Sequence, residues 1–145
     1  MSGFSTYLDN KIIDHLFKGT SYSTPTKYLA LFTDNAGLDT NTSATWSENE
    51  LPSSAGAYAR VSLPNSIWTT ASTGQTSNNV ELSYEVATTN WGEVTHVGIM
   101  DAATGGNCLA WGALANPVTG VEEGRNIETG DQLIVRTNAL TVKLA

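Results

Sequence analysis

Cysteine occurs once in the 145 residues, at Cys108. A single thiol excludes an intrachain disulfide and any zinc site built from several thiolates. It sits in Asn107-Cys108-Leu109-Ala110-Trp111, where a small buried side chain suits a strand. Only His15 and His96 are available to activate it as a nucleophile, and neither spacing suits that pairing.

Positive charge is also scarce. Seven Lys and Arg against fourteen Asp and Glu give a formal net charge of −7. Attraction to nucleic acid phosphates needs the opposite sign, so no nucleic acid partner is expected. An anionic membrane surface is disfavoured for the same reason, and no apolar run approaches the roughly 20 residues of a spanning helix, so no membrane partner is expected either. Met1-Ser2-Gly3-Phe4-Ser5 lacks a basic stretch followed by an apolar one; no signal peptide is expected, and assembly is placed in the cytoplasm. Charged residues make up only 14% of the chain, against about 25% in an average soluble protein. The surface must therefore be built from Ser, Thr, Asn and Gly. These residues bend and cap a chain through local hydrogen bonds and positive φ, which favours short strands and turns over long helices.

Helical periodicity occurs once. Thr6 opens a Thr-x-x-Asp box with Asp9, Leu8, Ile12 and Leu16 recur every four residues beside Ile13 and Phe17, and Gly19 offers a C-cap. A helix of about 13 residues is marginal alone, so its stripe is expected to lie against the domain or a neighbouring subunit. After Pro25 the period becomes two: Tyr28, Ala30 and Phe32 face one way, Leu29 and Leu31 the other, and both faces read as buried. Residues 34–57 are rich in Asn, Thr, Ser and Gly, with Leu38, Trp46 and Leu51 as the large apolar side chains. A loop of this length implies a role, here contacts with other subunits.

Further strands are predicted at 58–63, 67–70, 80–86, 96–100, 108–114, 118–121, 133–136 and 140–144. The clearest alternates Val80, Leu82, Tyr84 and Val86 with Glu81, Ser83 and Glu85. The turn chemistry of 101–107 makes 96–100 and 108–114 a hairpin, and the alternation of Leu140, Val142 and Leu144 places the closing strand in a sheet. The expected fold is all-β: an antiparallel β-sandwich or jelly roll of about eight strands with one short N-terminal helix. It is read as one domain over 1–145, with a helical segment at 1–20 and the sandwich at 21–145.

Groups that could do chemistry are few. Neither a Gly-x-Ser-x-Gly elbow nor a His-Glu-x-x-His helix is present. His96 reads as a hydrogen-bonded sheet residue, Asp101 as a turn initiator and His15 as a solvent or interface residue. Glu81 and Glu85 lie about 13 Å apart by strand rise, too far for one glycosidic bond. Of the other acidic pairs, Glu48/Glu50 and Glu122/Glu123, the second reads as a loop. The oxygens of residues 34–41 miss the EF-hand spacing and its terminal Glu. No catalytic, metal or cofactor residue is assigned, and no enzyme is expected. Among the four tryptophans, Trp111 alternates with Leu109 and Ala113 as core and Trp91 reads as a corner filler. Trp46, in the polar loop, is the candidate for an exposed sugar-stacking platform, which keeps a carbohydrate-binding module as one alternative.

Three blocks go further: Gly56-Ala57-Tyr58-Ala59-Arg60, Asn90-Trp91-Gly92-Glu93-Val94-Thr95-His96-Val97-Gly98-Ile99-Met100-Asp101-Ala102 and Leu109-Ala110-Trp111-Gly112-Ala113-Leu114. Here the chain resembles a family of small tailed-phage virion proteins labelled tail-fibre-like or decoration proteins. The short opening helix, the strand Tyr28-Leu29-Ala30-Leu31-Phe32-Thr33 and the ending around Thr129-Gly130-Asp131-Gln132 and Ala139-Leu140-Thr141-Val142 fit as well, so the likeness spans most of the chain. It implies a jelly-roll-type sandwich working through its surfaces, commonly as a homotrimer, without chemistry. Gly56, Tyr58, Arg60, Trp91, Gly92, His96, Gly98, Asp101, Trp111 and Gly112 are implied as scaffold. The expected role is a decoration or cement protein on the outside of the phage head, bound to the major capsid protein, with Met1 clamped in the assembly. A tail-fibre or receptor-binding module is the alternative. Partner contacts are expected from Leu8, Ile12, Leu16 and the loop around Trp46.

Overall fold

The computed structural model describes residues 2–144. In chain order the strands are β1 (Ser2–Phe4), β2 (Tyr28–Phe32), β3 (Val61–Ser62), β4 (Gln75–Ser77), β5 (Leu82–Ser83), β6 (Gly92–Val94), β7 (His96–Met100), β8 (Cys108–Ala113), β9 (Arg125–Ile127), β10 (Ile134–Val135) and β11 (Thr141–Lys143). The helices are α1 (Thr6–Ile13), which continues as a π-helical turn over Asp14–Lys18, and α2 (Ser43–Asn49); a 3₁₀ turn covers Asn65–Ile67. Every pairing is antiparallel: one five-stranded sheet in the order β1-β8-β7-β2-β3, and three two-stranded ribbons, β5 with β10, β4 with β11 and β6 with β9. The all-β antiparallel class is the expected one. A second sheet of more than two strands, as a jelly roll would have, does not form among the described residues. Nor is any helix there long and apolar enough to cross a membrane.

The two faces of β2 explain the layering. Leu29 and Leu31 point into the main core with Leu63, Leu82, Tyr84, Trp91 and Val94, to which the ribbons contribute Ile127, Val135 and Val142. Ala30 and Phe32 point the other way into a second core with Met100, Cys108 and Trp111. Residues 29–32 are fully buried, as the apolar run of β2 predicts. Each such Leu or Phe contributes about 1.5–3 kcal/mol by leaving water, so this strand alone anchors both layers. The second core needs a lid, because a sheet face left apolar must find cover. Leu38, fully buried, and Trp46, 2% exposed, supply it from the excursion between β2 and β3.

Within 34–57, then, Leu38 and Trp46 fold back on the chain's own sheet, with α2 carrying Trp46 inward. Three expectations change. Of 80–86 only Leu82–Ser83 is strand, and Val80 and Val86 are exposed while Leu82 and Tyr84 are buried. Residues 118–121 are a turn, because the Asn116 side-chain oxygen accepts from the N–H groups of Val118 and Thr119 and bends the chain. The strand predicted at 67–70 is replaced by the 3₁₀ turn and a single Trp68–Asn78 bridge. The hairpin of β7 and β8 and the paired closing strand β11 are as predicted. The expected clamping of Met1 lies outside the described residues.

At the N-terminus, α1 starts one residue earlier than the Thr6 box implies. Ser5 is the N-cap: its oxygen accepts from the Leu8 N–H at 3.3 Å, and its buried hydroxyl donates to the Cys108 carbonyl. The Ser5 N–H donates to Leu109 O at 2.8 Å and the Thr6 N–H to Asp39 O at 2.7 Å, so the root of the helix is tied to both β8 and the lid. Gly19 closes the helical segment at φ 74°, its N–H donating to Asp14 O, as the C-cap reading predicts.

Candidate functional site

The most connected polar cluster in the molecule is centred on Arg60. Residues 58–60 run extended into β3, so Tyr58 and Arg60, two apart, point to the same side. The Arg60 guanidinium forks onto Glu50, Nε to Oε2 at 2.8 Å and Nη2 to Oε1 at 2.7 Å, and Nη1 donates to the carbonyls of Ala102 at 2.7 Å and Gly105 at 2.9 Å in the β7–β8 turn. The side chains of the pair are only 3% and 15% exposed. Tyr58 donates its hydroxyl to Glu50 Oε2 at 2.7 Å and accepts the Leu31 N–H at 3.1 Å, an N–H on the central strand. Burial, and after it the charge of Glu50, holds the Tyr58 phenol far above its ordinary range, so it stays a donor. One ion pair thus fastens the lid, the central strand and the hairpin turn together. The guanidinium also lies 5.8 Å from the Trp46 ring, covering the lid tryptophan.

A ring cluster adjoins it. Tyr58 stacks on Tyr84, and Trp91 meets both edge-on at 5.8 and 6.5 Å. Trp91 donates its indole N–H to Gly56 O at 2.9 Å, and Tyr84 donates to Leu29 O at 2.6 Å. A Cβ at Gly56 would meet the Thr88 hydroxyl, so a larger residue there would have to turn the Thr88 side chain away.

Residues 3–143 match the family described as Podophage GP4 fiber I protein gp80. The chain belongs to this phage fibre family. Its members' designation makes it a structural protein of the virion. Among curated proteins, none matches the chain.

Placed in the fold, the motif residues of this gp80-family chain are structural parts. Gly56, Tyr58, Arg60 and Trp91 form the cluster just described. Asp101 accepts from the Asn107 backbone N–H at 2.7 Å and its side-chain amide at 2.9 Å, shaping the turn whose carbonyls Arg60 grips. Gly98 lets the Phe32 ring cross β7, since a Cβ there would lie 2.9 Å from the ring. Gly112 faces Ser2 across the β1–β8 pair, and Gly92, at φ 81°, turns the chain into β6. His96 bonds Thr95 Oγ1 through Nδ1 at 2.8 Å and lies 6.2 Å from the Trp111 ring; it does not meet Asp101, which is engaged by Asn107.

The expected partner residues separate. Trp46 is buried and is therefore no exposed platform for a sugar or a subunit, which corrects that expectation. Leu8 is half-buried against the main core and Ile12 is half-buried, so two of the three stripe residues are partly covered by the chain itself. Leu16 is 67% exposed, and with Ile13 at 55% and Phe17 at 84% it forms an apolar projection at the end of the helical segment.

The sequence singled out Glu50 only as half of an acidic pair; its link to Arg60, ten residues on, had no sequence signal beyond opposite charge. Asn78 has no sequence signal either. It is fully buried, donates to the carbonyls of Val80 and Arg136 at 2.8 and 2.9 Å, and accepts from the Leu140 N–H at 2.9 Å, so it stitches β4 to the chain leading into β11. Cys108 is buried, and burial pushes its thiol up to about 12, which keeps it protonated and unreactive. Asn41, in the stretch weighed for calcium, instead accepts from the Cys108 N–H at 2.7 Å and donates to Asn107 at 2.9 Å. Among the described residues no three His, Cys, Asp or Glu side chains converge as metal ligands.

Proposed function

We propose that the protein is a subunit of a virion fibre. The observation that carries this reading is the match to a fibre family over residues 3–143, nearly the full chain. The architecture supports it: function through surfaces asks for a rigid β body, and the Glu50–Arg60 fork locks the lid onto the sheet. The projecting Ile13, Leu16 and Phe17 are the attachment surface in this reading, joining the subunit to further copies or to an adjoining virion protein. The arm is suited to this. Asp9 and Asp14 balance Lys11 and Lys18, so residues 1–20 carry no net charge while the whole chain carries −7. Apolar contact there meets no charge repulsion of its own.

Immunogold labelling of purified particles, with copy number by quantitative mass spectrometry against the major capsid protein, tests the assignment. Label on fibres with a copy number in the dozens or below is the expected result. Label across the head with hundreds of copies would replace it with capsid decoration, the major capsid protein then being the partner.

A further inference from the structure

The sugar-platform role that Trp46 cannot fill has a better site elsewhere. A groove of about 310 Å³ opens beside the β4–β11 ribbon, and all nine residues lining it are uncharged and polar: five threonines, two serines, Gln75 and Asn138. We propose that this groove binds a neutral oligosaccharide.

Its walls are preformed. The Thr69 N–H donates to Ser77 O at 2.9 Å, Ser72 and Gln75 exchange backbone bonds at 2.9 and 3.1 Å, and the Thr76 hydroxyl donates to Thr69 O at 2.7 Å. Ser77 Oγ donates to Asn138 Oδ1 at 3.2 Å, and buried Asn78 accepts the Asn138 N–H on its carbonyl at 2.8 Å from below. Preformed walls cost little ordering on binding. The side chains of Thr70, Ser72, Gln75 and Thr141 and the amide nitrogen of Asn138 make no hydrogen bond within the described chain, so they face the groove as free donors and acceptors.

The lining selects the ligand class by its chemistry. No lining residue is Lys or Arg, Lys143 standing opposite Gln75 in the β4–β11 register, and the −7 chain as a whole repels anions. No carboxylate is present to hold a cation, and no aliphatic wall to hold a lipid tail; without an aromatic residue, a sugar would be held by hydrogen bonds and not by ring stacking. On the β4 side the backbone groups that an added peptide strand would need are taken by β11 and by the segment around Thr69 and Ser72. What remains is a ligand that is uncharged and dense in hydroxyls. A shallow polar site binds one such ligand weakly, and many copies on one particle multiply that by avidity.

The inference deepens the fibre reading and rests on it for placing the groove at the outer surface. Titrating the labelled full chain by two-dimensional NMR with maltotriose, chitotriose and the anionic 3′-sialyllactose tests it. The expected result is movement of the amides of Thr70, Ser72, Gln75 and Thr141 with at least one neutral sugar and none with the anionic one. In Gln75→Ala/Thr141→Val, with an otherwise unchanged spectrum, binding should fall by roughly tenfold, since two side-chain hydrogen bonds are lost. No movement with either neutral sugar, movement elsewhere, a stronger response to sialyllactose, or undiminished binding by the double variant would each overturn the proposal. The two readings fail separately: fibre labelling without sugar shifts sinks only the groove, and sugar shifts with head labelling sink only the fibre placement.

Discussion

Arg60→Ala is the perturbation that most directly tests how this molecule is held together. The substitution removes both bonds to Glu50 and both to the Ala102 and Gly105 carbonyls. With side chains 3% and 15% exposed, the pair belongs with buried ion pairs and not with surface ones. A surface pair is worth about 0–1 kcal/mol, whereas stranding one buried partner costs about 3–5 kcal/mol. Glu50 would keep only the Tyr58 hydroxyl. At roughly 3 °C per kcal/mol for a chain of this size, the melting temperature should fall by about 9–15 °C. Circular dichroism on heating measures it, and the double substitution Glu50→Gln/Arg60→Met sharpens the test. Removing both charges leaves none stranded, so the double variant should lose clearly less than the sum of the singles. A fall of less than about 3 °C for Arg60→Ala would refute the reasoning, because the fork would then be worth no more than a surface pair.

Three further outcomes follow from the same geometry. Gly98→Ala places a methyl 2.9 Å from the Phe32 ring in the second core and should destabilise the protein by about 1–3 kcal/mol in denaturant titration. Asn78→Ala strands two carbonyls and the Leu140 N–H; it should cost about 2–4 kcal/mol and raise hydrogen exchange first at Leu140 and its neighbours in β11. At alkaline pH, burial raises the Cys108 thiol from 9.0 to about 12 and the Tyr58 and Tyr84 phenols above their ordinary 10.0. An acid whose folded pKa is raised binds its proton more tightly in the folded state. Its contribution is complete below the unfolded pKa and is lost as pH climbs toward the folded one. Stability should therefore hold to about pH 9 and decline above it, and Cys108 should react with a thiol reagent only as the chain unfolds; a reactive thiol at pH 8 in folded protein would contradict the assignment.

The parts of the fold legible in the sequence were those where one local pattern sufficed. An apolar run with no polar alternation marked β2 as buried on both faces, and the turn chemistry of 101–107 located the β7–β8 hairpin. The Leu140, Val142 alternation placed β11 in a pairing, and Gly19 marked the end of the helical segment. The resemblance implied a scaffold role for Tyr58 and Trp91, and in the fold their rings pack together with Tyr84.

Elsewhere the sequence was ambiguous for physical reasons. Trp46 stands among Ser, Thr, Asn and Glu, so every local cue says loop; it is buried because it packs, with Leu38, on the Ala30 and Phe32 face of the sheet. Val80 and Val86 share a period with Leu82 and Tyr84, but only two residues of that run pair in a ladder, and its ends diverge from the core. Glu50 and Arg60 are opposite charges in a chain with many carboxylates, and nothing before folding says which one the guanidinium meets. The sequence by itself determined the class of protein: acidic, turn-rich, antiparallel β, with a short helix leading in. Tertiary structure alone decided which apolar side chains became a lid and which stayed exposed on the arm, and how uncharged hydroxyls gathered into one groove, because those outcomes depend on contacts between segments far apart in the chain.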